Sequence, residues 1–357
     1  MQNRLLKNIL VTGGAGFIGA NFIRYLFSLK EFKGTIFNVD ALTYAGNLMN
    51  LNDISEKYPK RYFFYHYNIC DKKKISELMQ KQNIDTIINF AAESHVDRSI
   101  INPETFIKTN VSGTFNLLET ARLFWKDRQD VVFHQVSTDE VYGSLGKKGF
   151  FKETTPYAPR SPYSASKAAG DLIAKSYYHT YQLPVTVSNC SNNYGPYQFP
   201  EKLVPLMLNN MLENRPLPLY GDGKHIRDWI YVEDHISGIW SILKKGNAGE
   251  SYNIGGDNEY ENKRLVFLLC EIVAEEAGLN IEKLTKLITY VKDRQGHDRR
   301  YAIDCNKIKD TLGWKQKFTM MKGLKKTVRW YLTNTLWTER VKSGEYLDWI
   351  KICYNNR

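Results

Sequence analysis

Three short stretches carry residue types whose spacing can do chemistry. In "SPYSASKAAGDLIAKSYY", Tyr163 and Lys167 stand four residues apart. On a helix such residues share one face. A tyrosine with a reference pKa of about 10 is a poor base at neutral pH. An ammonium beside it, together with the positive ring of an oxidised nicotinamide, stabilises the phenolate. The pair can then take a proton from a sugar hydroxyl while hydride leaves for the cofactor. In "VVFHQVSTDEVYG" a β-forming run ends in Thr138, Asp139 and Glu140, two carboxylates side by side. Tyr142 in the same stretch reads as a packed aromatic with no chemical role. The third stretch, "VTGGAGFIGANF", holds Gly14-x-Gly16-x-x-Gly19, or Gly13-x-x-Gly16-x-x-Gly19 in the adjacent register.

The glycines have separate tasks: a tight turn, close approach of N–H groups to a pyrophosphate, and close helix–strand packing. Asp40 ends the next strand, 21 residues after Gly19. A carboxylate there accepts from the ribose hydroxyls and repels a 2′-phosphate, which favours NAD over NADP.

These residues need a frame to position them. Strand candidates at 8–13, 35–40, 62–69, 86–92, 131–137 and 184–189 alternate with helix-like segments near 17–29, 71–82, 103–127 and 162–182. That alternation predicts an α/β fold, a doubly wound parallel sheet of Rossmann type. After residue 190 Pro, Gly and Asn become frequent, and a smaller, interleaved α/β substrate domain is expected. The divisions are 1–190 for the NAD-binding domain, 191–335 mainly for the substrate, and 336–357 for a C-terminal extension. The stretch 229–245 is expected to return a strand and helix to the main sheet. Ligands in such sheets sit outside the carboxyl ends of strands, so the Thr138–Glu140 turn belongs to the site.

The whole chain sets bounds on function. Its 357 residues are 43% hydrophobic, enough for a large core. No apolar run approaches the roughly 20 residues that span a bilayer, and "MQNRLLKNILVTGG" lacks the features of a signal peptide. A cytoplasmic enzyme with no membrane partner is expected. Cys70, Cys190, Cys270, Cys305 and Cys353 are far apart and odd in number, which argues for buried free thiols and no metal. The net charge of +11 is dispersed without a dense basic tract, so nucleic acid is not the expected partner.

The glycine cradle, Asp40 and the Tyr163–Lys167 pair together resemble the extended short-chain dehydrogenase/reductase superfamily. The resemblance implies a nucleotide-sugar substrate passing through a 4-keto intermediate. It leaves epimerisation, dehydration, decarboxylation and reduction open. Here the two acids discriminate. Epimerases of the superfamily need one hydroxylic residue at this place. Loss of water across C5–C6 needs a base for the C5 proton and an acid for the C6 hydroxyl, two groups with pKa values pushed apart.

"STDEVYG" with the Tyr–Lys pair closely resembles the dTDP-glucose 4,6-dehydratase family, as do "AAESHVDRSI", "NCSNNYGPYQFPEKLVP", "YGDGKHIRDWIYVEDH", "YNIGG" and "GHDRRYAID", over roughly residues 8 to 335. The resemblance implies conversion of dTDP-glucose to dTDP-4-keto-6-deoxyglucose by C4 oxidation, loss of water across C5–C6 and hydride return to C6, with NAD regenerated each cycle. A dehydratase for a UDP- or CDP-linked sugar is the neighbouring alternative, and a 4-epimerase the more distant one. By resemblance Asp139 is the acid, Glu140 the C5 base and Tyr163 the O4 base, with Thr138 bonding O4.

The same resemblance places Phe17 and Ile18 on the pyrophosphate. Asp40, Leu42, Thr43 and Gly46 surround the adenosine, with Asn68 and Ile69 at the adenine. Ala91, Ala92, Thr109 and Asn193 flank the nicotinamide half. Ser94 and Asn192 touch the substrate, and Lys202, Arg227, Asn262, Arg294 and His297 serve its nucleoside diphosphate. Two departures stand out: Asn68 replaces the usual Asp, and Gln295 replaces Pro in the loop "DRQGHD". His95 reads as structural. By analogy, helices 103–127 and 162–182 pair in a homodimer.

Overall fold

The structure is a computed structural model, and it describes residues 4–294 and 296–342. Gln295, Cys353 and residues 343–357 of the expected C-terminal extension lie outside the described residues.

Seven parallel strands form the main sheet: β1 (Asn8–Thr12), β2 (Thr35–Asp40), β3 (Tyr62–His66), β4 (Thr86–Asn89), β5 (Val132–Thr138), β6 (Val185–Cys190) and the later strand Ser251–Ile254. Their spatial order is β3-β2-β1-β4-β5-β6 followed by Ser251–Ile254. The order reverses between β1 and β4, and the crevice at that switch point is where such sheets bind ligands. The strands read as near-continuous apolar runs because helices cover both faces; all seven residues of β5 are buried.

Helix Pro162–Tyr181 begins with Ser161 as N-cap, Pro162 in the first turn and a reciprocal capping box with Ser164, which fixes the first turn on which Tyr163 sits. The expected helix 103–127 is one continuous run in three parts: Pro103–Phe106, a π-helical segment Ile107–Gly113, and Thr114–Trp125. Gly170 lets the two helices close up, since a Cβ there would lie 2.8 Å from the Asn110 carbonyl oxygen.

The expectation for 229–245 is corrected in part. The strand Ile226–Tyr231 does not join the main sheet; it pairs with Asn192–Tyr194 and Glu259–Glu261 in a small sheet. The strand that does extend the main sheet is Ser251–Ile254, against β6. The helix Val232–Lys245 that follows Tyr231 buries Ile236, Ile239 and Trp240 in the core shared with helix Phe17–Ser28. Strands Leu217–Tyr220 and Ile288–Val291 form a further parallel pair. A separate apolar cluster, including Tyr194, Leu208, Trp229, Leu269 and Leu324, lies under these later elements.

Candidate active site

The glycine turn leaves β1 with Gly13 at φ +68°, a region that favours glycine. A Cβ at Gly13 would sit 2.6 Å from the Ala91 nitrogen, and one at Gly19 would sit 2.4 Å from the Gly13 carbonyl oxygen. Asp40 ties this turn to the loop after β2: its carboxylate accepts from the Ala15 N–H at 2.9 Å and the Leu42 N–H at 2.8 Å. Burial pushes the Asp40 pKa up, and those two backbone donors oppose the shift.

Gly13, Gly16, Phe17, Ile18, Gly19, Asp40, Thr43, Gly46, Asn68, Ile69, Ala91, Ala92, Thr109 and Asn193 all line one cleft. A glycine turn with no room for a Cβ and a carboxylate ending the next strand fit a dinucleotide. Leu42 lines a neighbouring cavity with Arg98 and Phe106, while its N–H bonds the Asp40 carboxylate of this cleft. The Asn68 amide oxygen accepts from the Cys70 N–H at 2.8 Å, which fixes its orientation at the cleft wall.

The same cleft is lined by Ser94, Thr138, Glu140, Tyr163, Lys167, Asn192 and Lys202. At the end of β5 the chain turns into a 3₁₀ segment, Asp139–Tyr142, with Thr138 as N-cap. Thr138 Oγ1 accepts from the Glu140 N–H at 3.3 Å and donates to Asp139 Oδ1 at 3.3 Å. The Tyr163 phenol faces the same threonine. Lys167 Nζ donates to the Val136 carbonyl at 2.7 Å.

The two acids sit in different electrostatic surroundings. Burial pushes the Asp139 pKa well up, and the neighbouring charges of Glu140 and Asp228 push it further. Its Oδ2 is buried without a hydrogen bond. Burial raises Glu140 too, but Arg294, Arg227 and Lys202 pull it back down. Both carboxyls are thus raised, Asp139 the further of the two, and the cations beside Glu140 separate the pair in the sense an acid and a base working together require. Burial, followed by the charge of Glu140, raises the Tyr163 phenol, and burial lowers the Lys167 ammonium.

Arg227, Asn262, Arg294 and His297 do not line this cleft; Arg227 and Arg294 lie close enough to act on Glu140 of its wall. Arg227 lies over the Tyr301 ring, 4.3 Å from its centroid, and donates to the Asp298 carbonyl at 2.9 Å. Arg294 contacts His297 Nε2 at 3.2 Å, and His297 Nδ1 meets Asp293 at 2.6 Å. The Asn262 amide oxygen is buried without a hydrogen bond. His95 is buried, with Nε2 3.9 Å from Glu201. Tyr142 stacks on Phe151 at 5.2 Å and donates to Asn253 at 2.9 Å, a packed aromatic as its pattern suggests. Among the described residues, Cys70, Cys190, Cys270 and Cys305 are free thiols.

Some site residues escape the sequence motifs. Glu201 and Tyr44 line the cleft. Arg98 lies 3.9 Å from the centroid of the Tyr44 ring and 3.4 Å from the Glu201 carboxylate. No spacing rule links residues 44, 98 and 201. Asp171 is different: it lies one helical step of four beyond Lys167, the spacing already used to pair Lys167 with Tyr163.

Residues 10–327 match the family model described as GDP-mannose 4,6 dehydratase. The dTDP-glucose 4,6-dehydratase of Salmonella typhimurium is 50% identical over 98% of this chain and 99% of its own length. A crystal structure of dTDP-glucose 4,6-dehydratase from Bacillus anthracis in complex with NAD is similar at a TM-score of 0.84 and 48% identity, over 94% of this chain and all of that one. A second, from Streptomyces venezuelae with NAD and TYD bound, has a TM-score of 0.85 and 42% identity over 94% of this chain and all of its own. With close to half its residues shared along nearly its whole length, the chain belongs to the dTDP-glucose 4,6-dehydratase family.

Proposed function

We propose that this chain dehydrates dTDP-glucose to dTDP-4-keto-6-deoxyglucose, using tightly held NAD that is restored in each cycle. The observation that carries the reading is the adjacent Asp139–Glu140 pair, with Asp139 raised further than the cation-flanked Glu140, beside Tyr163 and Lys167. Support for NAD comes from the glycine turn and Asp40, and support for the substrate from its relatives' activity.

When bound, NAD supplies the hydride acceptor for C4 and the donor for C6. Gly13, Gly16 and the first turn of helix Phe17–Ser28 hold its pyrophosphate, and Asp40 its adenosine ribose. Tyr163 removes the O4 proton, with Thr138 bonding that oxygen and Lys167 stabilising the phenolate. Glu140 takes the C5 proton and Asp139 protonates the departing C6 hydroxyl. Glu140 then returns a proton to C5 as C6 is reduced. Lys202, Arg227, Arg294 and His297 hold the diphosphate and base.

The same reading takes residues 1–190 as mainly cofactor-binding and 191–335 as mainly substrate-binding. It takes the active form as a homodimer, since Ile107, Phe115, Leu123 and Leu172 stand exposed on helices 103–125 and 162–181. It places the enzyme in the cytoplasm, consistent with unpaired thiols. No helix among the described residues is long and apolar enough to cross a membrane.

The test is incubation of purified protein with dTDP-glucose, with and without added NAD, followed by mass spectrometry. Loss of one water is expected without added NAD. No dehydrated product under either condition sinks the reading. UDP- and CDP-glucose in parallel separate the base-specificity alternatives, and a C4-epimerised product would replace the reaction class.

A further inference from the structure

We propose that Asp171 is a positioning residue for this reaction, a buried carboxylate that supplies the counter-charge of Lys167. The inference rests on the Tyr163–Lys167 reading above.

Tyr163, Lys167, Asp171 and Lys175 follow one another at intervals of four along helix Pro162–Tyr181, which makes a single stripe of alternating character. Asp171 is 0% exposed and Lys167 5%. Asp171 is not part of the cleft wall, and its carboxylate faces Ser137 and Tyr157. An isolated charge at such depth is costly, and a carboxylate persists there by pairing and hydrogen bonding. Asp171 Oδ2 accepts from Ser137 Oγ at 2.5 Å and from the Tyr157 hydroxyl at 3.3 Å. Its Oδ1 has no hydrogen-bond partner. Lys167 bonds a neutral carbonyl, that of Val136. The two form no ion pair within 4.0 Å but bond successive residues of β5, Val136 and Ser137; burial lowers the Lys167 ammonium and raises the Asp171 carboxyl, and the charge of each partly offsets the shift of the other.

The surrounding groups are few and identifiable. Lys175 faces Asp171 from the same helix, and Tyr157 and Tyr142 from the segments after β5. Cys190 of β6 faces Lys167, and Asp139 faces Cys190. Glu119 of helix Thr114–Trp125 is engaged further along, by Tyr177 and Arg122. The Ser137 donor adjoins Thr138, and Asn189 bridges the Tyr157 hydroxyl to the Thr138 carbonyl at 3.4 and 3.2 Å. The counter-charge is thus fixed to the strand that leads into the two acids.

Asp171→Asn keeps the shape and an acceptor for Ser137 but removes the charge. Without it Lys167 gives up its proton at lower pH, and the neutral amine no longer favours the Tyr163 phenolate. The expected result is a kcat about tenfold lower, with the alkaline limb of its pH profile moved down by about one unit, while KM and NAD content stay unchanged. Tyr157→Phe removes one donor to the carboxylate and is expected to move the same limb in the same direction by less; it decides the matter if Asp171→Asn does not fold. A pH profile superimposable on that of the unsubstituted enzyme overturns the proposal, even if kcat falls. An NMR titration of ¹⁵N-labelled Lys167, assigned with Lys167→Arg, reads the counter-charge without turnover. It separates failure of this inference from failure of the proposed function: an unshifted Lys167 titration in Asp171→Asn overturns the inference whatever the substrate proves to be.

Discussion

In the half of the cleft around the glycine turn, position is set by main chain. Gly13 and Gly19 meet other backbone atoms at distances where a single methyl does not fit, and Asp40 is held by two backbone N–H groups. In the half around Arg227 and Arg294, position is set by long side chains drawn from distant segments and steadied by aromatic rings such as Tyr301 and Tyr220. Backbone-made sites are rigid and intolerant; side-chain-made sites can be retuned by one substitution. The cofactor half therefore resists change, while the substrate half is where specificity is adjusted.

The largest expected effect falls where the halves meet. Tyr163→Phe should lower kcat by about a thousandfold, within the range for a positioned base, with substrate affinity from a binding titration little changed. Retained turnover would detach the base from the junction. Glu140→Gln should retain slow oxidation at C4 while solvent-deuterium exchange at C5 disappears; undiminished exchange would remove Glu140 from its role.

Within the cofactor half, Gly19→Ala should cost about 1–3 kcal/mol of stability through overpacking and leave the purified protein depleted of NAD, as measured by thermal melting and by nucleotide release on denaturation. Normal NAD content would show that the backbone there yields more than supposed.

The sheet and the cofactor half rest on buried neutral histidines. His134 contacts Thr186 and Ser188 at 2.9 and 3.0 Å, and His235 contacts Asn193 at 2.9 Å. Burial pushes each ring down to about 3. The folded values lie below the unfolded value of about 6.5, so below that pH the unfolded chain takes protons the folded one refuses. Stability should fall by about 1.4 kcal/mol per pH unit for each histidine on acidification from pH 6.5 toward 3. Thermal melts across that window check it, and His134→Gln should flatten the slope.

The smallest effect is expected in the substrate half. Arg294→Lys should raise KM about tenfold with kcat nearly unchanged, because a lysine cannot reproduce a stacked, forked guanidinium. A fall in kcat alone would blur the distinction between the halves.

The same contrast explains what the sequence discloses. The glycine turn, Asp40, the Tyr163–Lys167 step and the strand-ending acids are local patterns with a fixed period, so their placement on one cleft follows from strand alternation. Sequence pattern alone does not bring Glu201 beside Arg98 and Tyr44, because those contacts cross the fold. The pairing of Ile226–Tyr231 is hidden for a related reason: an apolar strand reads alike whichever sheet it joins. Asp171 was within reach of the i+4 rule.

The π-helical segment Ile107–Gly113 gives the molecule a phase adjustment. Each residue of an α-helix advances the chain by about 100° of rotation, and a wider turn absorbs a residue that would otherwise spin everything after it. Within it Asn110 clasps both the N–H and the carbonyl of Glu93, at 2.9 and 3.0 Å, while Thr109 reaches the cleft. Beyond it Phe115 and Leu123 face outward. The wide turn works as a gear between two surfaces: losing its extra residue would let it close to an ordinary α turn with the outer face still in phase, whereas deleting a residue from the regular turns after it would rotate that face by about 100°, putting the interior of the enzyme and its exposed helical surface out of register with one another.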